Sequence, residues 1–557
     1  MSKLPSAPNI YGMNSVLRYY NNLNVEPESF SLNFCNEENV RIILKDINIS
    51  KASGIDNLTG RFLKDGAEIL CKPISQICNL SVHLAIYPKS FKVAKLKPLF
   101  KKGSALEPQN YRPISLLPLI SKVLEKIVLE QTQSFLRDNN LIYKLQSGFR
   151  SHHSTDFCLS YLCNKILTGF DSGLSTGMIL IDLQKAFDTI DHEILLKKMY
   201  CIGFAENTIK WFESYLKDRT FIVSVENSIS SSGSQICGVP QGSILGPLLF
   251  LLYINDIQQA SDSTIILYAD DSCIVFQHKT ITEIEKQLNK DFKSVCSWFI
   301  DNKLSIHLGK EKTKCILFSP KNKNKKDKTL EIFHNEKKIQ QYSSVTYLGC
   351  ILDESMSGDE MAIKVIKKIN NKLKFLYRKN QFLSKYLRRL LCNAIIQPHF
   401  DYACSTWYIN LKTCLKNKLK VVQNKCIRFC LRKTFRSHIG FEDYLNINWL
   451  PVELRVNQII LCSVFKFFQK TCPNFMTEIF DPVENQNMIT RTSILRLHQP
   501  KRKTKSGMNS LSYVGPSYWN KLPSNLKISE NLNSFKHSLK KYFFQDLKSN
   551  RNPFFKY

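Results

Sequence analysis

The stretch of sequence that decides the fold is Thr264-Ile-Ile-Leu-Tyr-Ala-Asp-Asp-Ser-Cys-Ile-Val-Phe276. Two runs of β-branched and aromatic residues flank Asp270 and Asp271, which predicts a hairpin with buried arms and the two acids at its tight turn. Ordinary turns also favour aspartate, so an isolated Asp-Asp pair most often marks only a turn. Its meaning here therefore depends on the surrounding sequence.

A further acid follows a second apolar strand. Met178-Ile-Leu-Ile181 runs directly into Asp182, which on its own could be a helix cap. If the two strands are neighbours in one sheet, Asp182 and Asp270 converge, and like charges ~4 Å apart repel by about 4 kcal/mol at an effective dielectric near 20. Such a cluster needs a cation, and carboxylate oxygens in an incomplete shell suit Mg²⁺ or Mn²⁺. Two such ions can activate a 3′-hydroxyl and stabilise a departing pyrophosphate.

A loop rich in glycine and proline lies between these acids in the sequence. It is Gly238-Val-Pro-Gln-Gly-Ser-Ile-Leu-Gly-Pro247, and it opens a predicted helix. A plain connecting loop is one interpretation. The other is a backbone that approaches a nucleic-acid base pair closely, with Gln241 as the hydrogen-bonding side chain.

Charge and composition set the class of protein. The chain has 557 residues, 43% of them apolar, which is enough for a large core and two to four subdomains. Residues 321–557 carry 43 Lys and Arg against 16 Asp and Glu, so nearly all of the net charge of +31 is C-terminal. A lysine-rich surface can serve solubility alone, but so one-sided a field favours a polyanion-binding groove.

The remaining composition indicates an intracellular protein of the cytoplasm and nucleus with no membrane partner. The longest near-continuous apolar run, Leu248 to Ile254, is far shorter than the ~20 residues of a membrane span, and the N-terminus has no apolar signal core. The 18 cysteines are scattered from Cys35 to Cys472 without zinc-site spacing. We interpret them as reduced thiols of the core.

The lysine-rich run Lys321-Asn-Lys-Asn-Lys-Lys-Asp-Lys328 is predicted to be a solvated loop between subdomains. Before it, short apolar strands alternate with amphipathic helices, which indicates an α/β or α+β body. After it, strands become scarce and helical periodicity dominates. Met361–Arg378 has an apolar side and a cationic side formed by Lys364, Lys368 and Lys372, and similar helical patterns recur at Lys416–Arg432 and Ile459–Lys470.

Three motifs in order, Asp182-Leu-Gln-Lys-Ala-Phe-Asp188, Gly238-Val-Pro-Gln-Gly-Ser243 and Tyr268-Ala-Asp-Asp271, resemble the A, B and C palm motifs of reverse transcriptases. Other motifs resemble the fingers and later palm of non-LTR (LINE-type) retrotransposons: Lys51-Ala-Ser-Gly-Ile-Asp56, Asn110-Tyr-Arg-Pro-Ile-Ser-Leu-Leu117, Gln146-Ser-Gly-Phe-Arg150, Lys312-Thr313 and Tyr347-Leu-Gly349. Ser512-Tyr-Val-Gly-Pro-Ser-Tyr-Trp-Asn-Lys-Leu-Pro523 is similar to the C-terminal region of jockey-like elements. The resemblance extends over roughly residues 35 to 545.

The resemblance implies a right-hand polymerase. The expected divisions are an N-terminal segment at 1–34, fingers at 35–175, palm at 176–355, a helical thumb at 356–440 and a basic, mainly helical C-terminal region at 441–557. In such a molecule the cationic side of the 361–378 helix would lie on duplex phosphates.

The resemblance also implies residue roles. Asp182 and Asp270 would be the main metal ligands, supported by Asp271, and Lys312 would donate a proton to pyrophosphate. Substrate contacts would come from four residues: Phe187 as steric gate against a ribose 2′-hydroxyl, Arg150 on the triphosphate, Gln241 at the base pair and Arg112 on the template backbone. A surface salt bridge is the alternative for Arg112 and Lys312. Asp188 and Asp191 are expected to be structural, for example as helix caps, and His192 to be an ordinary polar residue.

The implied function is an RNA-directed DNA polymerase that copies an RNA template from a DNA primer, using dNTP and handling an RNA/DNA hybrid. Jockey-like elements usually carry an endonuclease upstream, and here about 35 residues precede the fingers, so the endonuclease is expected in trans or is missing from a fragment. A catalytically silent RNA-binding remnant is the main alternative. A group II intron maturase shares the palm chemistry, but the jockey-like C-terminal motif and the lack of an HNH-type metal cluster weigh against it.

Overall fold

The computed structural model describes residues 28–226, 228–309, 312–320, 329–483 and 495–549. The chain folds into two compact units, each built from separate segments of sequence. The first contains the described residues up to Phe149, with Ile181–Ser272 and Lys290–Lys312. The second contains Arg150–Leu180, Cys273–Asn289 and the described residues from Thr313 onward. The lysine-rich run 321–328 and residues 1–27 of the N-terminal segment lie outside the described residues.

Helices account for most of the regular structure. In chain order they are α1 (Glu37–Lys45), α2 (Gly60–Asp65), α3 (Ala67–Leu84), α4 (Leu119–Asp138), α5 (Thr155–Asp171), α6 (His192–Cys201), α7 (Glu206–Leu216), α8 (Gly246–Ile254), α9 (Ile281–Asp301), α10 (Asp359–Arg378), α11 (Lys385–Ile395), α12 (Gln397–Asp401), α13 (Cys404–Trp407), α14 (Thr413–Leu431), α15 (Phe441–Ile447), α16 (Val452–Phe468), α17 (Lys505–Met508), α18 (Leu511–Asn520), α19 (Ser524–Lys527) and α20 (Leu532–Lys548).

The strands are concentrated in the first two thirds of the sequence. They are β1 (Val93–Phe100), β2 (Tyr111–Leu116), β3 (Ser175–Ile181), β4 (Arg219–Val225), β5 (Ser228–Ile229), β6 (Gly233–Gln235), β7 (Thr264–Tyr268), β8 (Asp271–His278), β9 (Lys314–Phe318), β10 (Phe333–His334), β11 (Lys337–Lys338), β12 (Ser344–Tyr347) and β13 (Cys350–Asp353). The mixed α and β content predicted for the body is confirmed.

The sheet that carries the acids has the strand order β7-β8-β3-β9. Strand β3 is buried along its whole length, and β9 pairs with it antiparallel, with Met178 opposite Ile316. A strand covered on both faces needs a continuous apolar run rather than an alternating one, which is the pattern read at 178–181. The strand predicted at 178–181 and the two predicted hairpin arms are therefore confirmed as β3, β7 and β8.

A second sheet lies in the first unit. Strands β2, β1, β4 and β5 are neighbours in that order, and β6 also pairs with β4. Strand β1 is parallel to β4 and antiparallel to β2, with Leu99 opposite Arg112.

A buried ion pair joins three helical segments of the first unit. Lys198 of α6 donates to Asp256 Oδ1 over 2.6 Å and to the Tyr253 carbonyl over 2.6 Å. Trp298 Nε1 of α9 donates to the other oxygen of Asp256 at 3.0 Å. Because both charges are almost fully buried, losing one partner would leave the other uncompensated, a change that typically costs about 3–5 kcal/mol.

In the second unit, the short hairpins β10–β11 and β12–β13 precede a part that begins at α10, in which the described residues form helices and one isolated bridge between Pro482 and Leu497. The predicted helices correspond to α10, α14 and α16. On α10 the residues Ala362, Val365 and Ile369 are buried while Lys368 is exposed, so the two-sided character of this helix is confirmed.

Most cysteine thiols are buried, in keeping with their interpretation as core residues. Among the described residues, no helix is both long and apolar enough to cross a bilayer. The division into fingers, palm and thumb stays a prediction.

Candidate active site

The hairpin between β7 and β8 has the predicted form. Strand β7 ends at Tyr268, Ala269 and Asp270 form the turn, and Asp271 opens β8. Ala269 has a φ of +55°, a backbone conformation that L-residues adopt only when their surroundings impose it. The turn is therefore held by contacts from elsewhere in the chain.

The segment Gln146–Gly148 supplies those contacts. Gln146 is buried, and its Oε1 accepts hydrogen bonds from the Ala269 amide at 3.0 Å and the Gly148 amide at 2.8 Å. A Cβ atom on Gly148 would lie 2.3 Å from the Ala269 nitrogen, so only glycine permits this approach. This clamp on the turn was not predicted from the sequence, where the motif indicated only Arg150, although Gly148 was a visible signal.

Asp182 stands where β3 ends, and backbone contacts hold it there. Its carbonyl accepts a hydrogen bond from the His307 amide at 2.8 Å, and the Gln184 amide donates to the Ser305 carbonyl at 2.8 Å. The Asp182 carboxylate accepts from Lys312 Nζ at 2.9 Å, with each side chain about one third exposed. The salt bridge considered for Lys312 exists, and its partner is the predicted principal metal ligand.

The three acids interact electrostatically. Partial burial, the Asp270 carboxylate and then the Asp182 carboxylate raise the pKa of Asp271 from 3.8 to about 6, while Lys312 opposes the shift. The three negative charges are thus gathered at the end of β3 and the β7–β8 turn. Across the parts of the chain that the structure describes, no three acidic, His or Cys side chains stand in a ready-made metal cage. The cluster is an open set of hard oxygen donors under mutual repulsion, which is the donor chemistry that suits Mg²⁺ or Mn²⁺.

The glycine-rich loop packs against the segment after β3. Gly238 has a φ of +76°, and its amide donates to the Ile190 carbonyl at 2.8 Å. A Cβ atom at this position would lie 2.6 Å from the backbone carbonyl oxygen of Asp188. The Val239 amide donates to the Phe187 carbonyl at 2.9 Å. The helix predicted after this loop is α8, which begins at Gly246.

Gln241 is held by hydrogen bonds of both its side chain and its backbone. Its side-chain nitrogen donates to Asp188 Oδ1 at 2.8 Å, and its carbonyl accepts from the Ser115 amide of β2 at 2.7 Å. Gly242 has a φ of +127°, and a Cβ atom there would lie 2.5 Å from the backbone carbonyl oxygen of Ser115. Close backbone approach does explain the glycines, but the approached groups within the chain are Asp188 and Ser115.

The acids expected to be structural have different roles. Asp191 caps α6 by accepting from the Ile194 amide at 3.0 Å, as predicted, and it also pairs with Lys303 at 2.5 Å. Asp188 is not a helix cap, because its side chain is the partner of Gln241; burial raises the pKa of Asp188. His192 is more than an ordinary polar residue, since its Nε2 lies 2.8 Å from the Gly238 carbonyl oxygen and joins α6 to the loop.

Glu125 was missed by the sequence analysis. This fully buried side chain of α4 accepts from the Ile244 amide at 2.6 Å and the Leu245 amide at 3.2 Å, immediately before α8. Burial raises the pKa of Glu125, although Arg219 and these amides oppose the shift. Nothing local in the sequence of α4 distinguishes this glutamate from a surface one.

Phe187 is half-buried beside the carboxylate segment. Its ring stacks on Phe250 of α8 with centroids 4.7 Å apart and meets Phe149 edge-on at 6.0 Å. Two aromatic neighbours fix the ring plane while part of the ring stays accessible.

The other predicted site residues are placed separately. Arg112 is exposed on β2 of the first unit. Arg150 belongs to the second unit, and burial lowers its pKa to about 10. Lys364, Lys368 and Lys372 also lie in the second unit, on α10. The structure thus brings together Asp182, Asp270, Asp271 and Lys312 within one unit, which also holds Phe187 and Gln241.

Comparison with known proteins shows which protein family the chain resembles. Residues 99–352 match the family model described as reverse transcriptase (RNA-dependent DNA polymerase). The chain is 27% identical over 397 residues to the probable RNA-directed DNA polymerase from transposon BS of Drosophila melanogaster, covering 69% of this chain and 43% of that protein.

Two further relatives extend the similarity. The RNA-directed DNA polymerase from mobile element jockey of Drosophila melanogaster is 27% identical over 406 residues, covering 70% of this chain and 43% of the relative. The Pol polyprotein from type-1 retrotransposable element R1 2 of Nasonia vitripennis is 27% identical over 276 residues, covering 47% of this chain and 64% of the relative. The chain spans less than half the length of the BS and jockey proteins. Residues 99–352 therefore match the reverse transcriptase family, and the chain is similar to the RNA-directed DNA polymerases of jockey-like non-LTR retrotransposons.

Proposed function

We propose that the chain is an RNA-directed DNA polymerase that adds dNTP to a primer 3′-hydroxyl on an RNA template. The observation that carries the proposal is the cluster of Asp182, Asp270 and Asp271 with Lys312, inside a domain that matches reverse transcriptases. The similarity to the RNA-directed DNA polymerases of transposon BS and jockey supports the same activity. DNA primers and RNA/DNA hybrids belong to this proposal.

Asp182 and Asp270 would hold Mg²⁺ or Mn²⁺, with Asp271 as a supporting ligand. When bound, such ions increase the acidity of the primer hydroxyl and stabilise charge on the transferred phosphate. Asp271 supports this assignment because its raised pKa reflects repulsion from the other two carboxylates as well as burial. Lys312 pairs with Asp182 at 2.9 Å, and in the reaction it would leave that carboxylate and donate a proton from Nζ to the departing pyrophosphate.

The nucleotide and template would contact further residues of the chain. Phe250 and Phe149 restrict movement of the Phe187 ring. The ring held in this way would pack against the sugar of the nucleotide. Gln241 would contact the nascent base pair, while Asp188 holds the side-chain amide nitrogen of Gln241. Arg150 would bind the triphosphate and Arg112 the template backbone.

In the second unit, the cationic side of α10 would bind duplex phosphates. Lys368 is exposed, and Lys364 and Lys372 are partly exposed, while the opposite side of the helix is buried in the unit. Lysine ammonium groups spaced one turn apart form a row of charge that matches a sugar–phosphate backbone without reading its sequence. Fingers, palm and thumb roles for 35–175, 176–355 and 356–440 are part of this proposal.

Replacing Asp182 or Asp270 with Asn should reduce Mg²⁺-dependent primer extension on an RNA template by several orders of magnitude. RNA affinity should stay nearly unchanged, because these acids hold cations whereas the basic second half of the sequence holds the polyanion. Single-turnover extension and filter binding on the purified full chain measure the two quantities.

Asp301→Asn is the matched control, since Asp301 is an exposed aspartate of the same unit at the end of α9. It should extend primers at the unsubstituted rate. Primer extension retained by folded Asp270→Asn protein would refute the assignment of the carboxylate cluster as the catalytic site. RNA binding without extension by the unsubstituted chain would instead indicate an inactive RNA-binding protein.

Asp271→Asn should stabilise the metal-free protein in a pH-dependent way. The folded-state pKa of about 6 exceeds the ordinary 3.8, so the folded protein loses stability as pH rises from about 4 to 6 and the carboxylate becomes charged. Asn carries no charge, so the gain should be about 1 kcal/mol at pH 8, after allowance for solvent screening of a partly exposed group, and smaller at pH 5. Chemical denaturation in EDTA measures it. Equal or lower stability of the variant at pH 8 would show that the repulsion is absent.

Phe187→Val should raise the efficiency of ribonucleotide insertion relative to deoxyribonucleotide insertion. The smaller side chain removes a clash with the 2′-hydroxyl, and selectivity is a difference between two transition-state energies. Steady-state insertion of matched rNTP and dNTP gives the ratio. If Phe187 only fills space beside Phe250, both efficiencies fall together and the ratio is unchanged, which rejects the gate.

Neutralising Lys364, Lys368 and Lys372 to Gln should flatten the dependence of log affinity on log salt for an RNA/DNA hybrid by about 2–3 units. Each lysine releases roughly one counterion when it contacts a phosphate. Titration of the full chain with labelled hybrid at several salt concentrations gives the slope.

A control triple variant changes three exposed lysines of the first unit to Gln: Lys64, Lys72 and Lys89. It carries the same change in net charge, so it should leave the slope closer to that of the unsubstituted chain. Equal slopes in the two triple variants would place the duplex on another surface.

A further inference from the structure

A basic pocket lies within the second unit where α10 and α14 end beside α11. It encloses about 370 Å³ and is lined by side chains that include Tyr377, Asn380, Arg388, Arg428 and Arg432. That volume lies within the usual range of small-ligand sites. Among the residues that the structure describes, the lining contains no carboxylate.

Three guanidinium groups meet at this pocket, and each donates hydrogen bonds to uncharged carbonyl oxygens. Arg388 is buried and donates to the carbonyls of Leu383, Phe429 and Asn380 over 3.0, 3.2 and 2.7 Å. Burial, then the nearby charge of Arg432, lower the pKa of Arg388.

The other two guanidinium groups are held in the same way. Arg428 donates to the Ser437 carbonyl at 2.9 Å, and Arg432 to the Leu383 carbonyl at 2.9 Å. A fourth cation, Lys433, pairs with Asp443. Groups of like charge held close together by carbonyls favour an anion between them.

The surrounding sequence strengthens this field. Between residues 361 and 441 the acidic side chain present is Asp401, and it is committed to Arg455, whose Nη2 lies 2.8 Å from its Oδ2. The pocket therefore stands in a stretch whose remaining charges are positive, which selects for a phosphate rather than for a zwitterionic or neutral ligand.

Aromatic and amide groups give the pocket features beyond charge. Tyr377 is 44% exposed, and its ring meets Phe429 edge-on at 5.0 Å, so the ring is held on one side while a large part of the side chain stays accessible. Within the described chain, Oδ1 of Asn380 is a buried acceptor without a hydrogen-bond partner. Such an acceptor normally finds a donor, and a base edge offers one.

Exposed aromatic side chains occur close to the pocket along the sequence. Phe382 is 71% exposed, Tyr386 64% and Phe435 80%. Exposed aromatic rings interleaved with arginine are the usual platform for unpaired bases, because every base has a face that can stack.

We propose that the basic pocket binds one nucleotide of a single-stranded nucleic acid. Arg428 and Arg432 contact its phosphate, the base stacks on Tyr377, and Asn380 accepts a hydrogen bond from the base edge. A duplex cannot use the pocket, because paired bases do not expose their faces. This goes beyond the proposed polymerase activity, since no step of nucleotide addition requires a pocket outside the carboxylate cluster.

The test uses two variants of the full chain. One is a double variant that combines Arg428→Gln with Arg432→Gln, and the other is the single variant Tyr377→Leu. Fluorescence anisotropy follows a labelled 12-nucleotide RNA without secondary structure and a blunt RNA duplex of equal length, without Mg²⁺ or dNTP. The double variant should lose roughly tenfold in single-strand affinity and flatten the salt slope by about 0.7, the value for one phosphate of a single strand. Tyr377→Leu should lose about fivefold or more without a change of slope, because stacking is not electrostatic.

The matched control is Lys385→Gln with Arg389→Gln, two exposed cations of α11 that do not line the pocket. It should change single-strand affinity less than twofold. Duplex affinity should be the same in all variants that give the circular dichroism of the unsubstituted chain.

Three results overturn the proposal. Single-strand affinity of the double variant equal to that of the control denies the phosphate contact. Equal losses for single strand and duplex deny selectivity for unpaired bases. Displacement of the RNA by millimolar free nucleoside triphosphate from the unsubstituted chain but not from the double variant assigns the pocket to a mononucleotide instead.

Discussion

Repulsion among three carboxylates is the constraint on which the architecture of the site depends. Asp182, Asp270 and Asp271 gather where β3 ends and β7 turns into β8, and the raised pKa of Asp271 reflects that repulsion together with burial. Left to itself, a turn bearing two of these charges would move away from the third. Gln146 and Gly148 hold the turn, backbone bonds from Ser305 and His307 hold the end of β3, and Lys312 neutralises Asp182. Rigid positioning of groups that repel is what prepares a site for cations.

The same principle extends to the layer beneath the site. Glu125 fixes the two amides that precede α8, and His192 and Asp188 fix the glycine-rich loop through Gly238 and Gln241. Each of these bonds joins segments far apart in sequence and uses a buried or half-buried polar group. Removal of any one would leave an unsatisfied polar atom, so the loop has few alternative conformations. This explains how a loop with several glycines can present Gln241 in one orientation.

Sequence alone predicted the parts of the fold that depend on local pattern. The strands around the acids, the capping role of Asp191 and the two-sided helix α10 follow from periodicity and residue type. Gln146 as a clamp, Glu125 as a buried acceptor and the bond from Gln241 to Asp188 were not predicted, because each depends on a partner between 53 and 123 residues away. Long-range polar pairing leaves no periodic signal in a single sequence. The basic pocket was missed for a related reason, since it combines α10, α11 and α14 only after folding.

Binding of a divalent cation by the three carboxylates is the central claim, and anomalous diffraction tests it most directly. Crystals of the chain would be soaked in Mn²⁺ and measured at the manganese absorption edge, with Asp182→Asn crystals of the same form as reference. We expect an anomalous peak within about 2–2.5 Å of carboxylate oxygens from Asp182 and at least one of Asp270 and Asp271, and no such peak in the Asp182→Asn crystals. A peak bound elsewhere, with Asp182 still paired to Lys312 and none between the carboxylates, would contradict it.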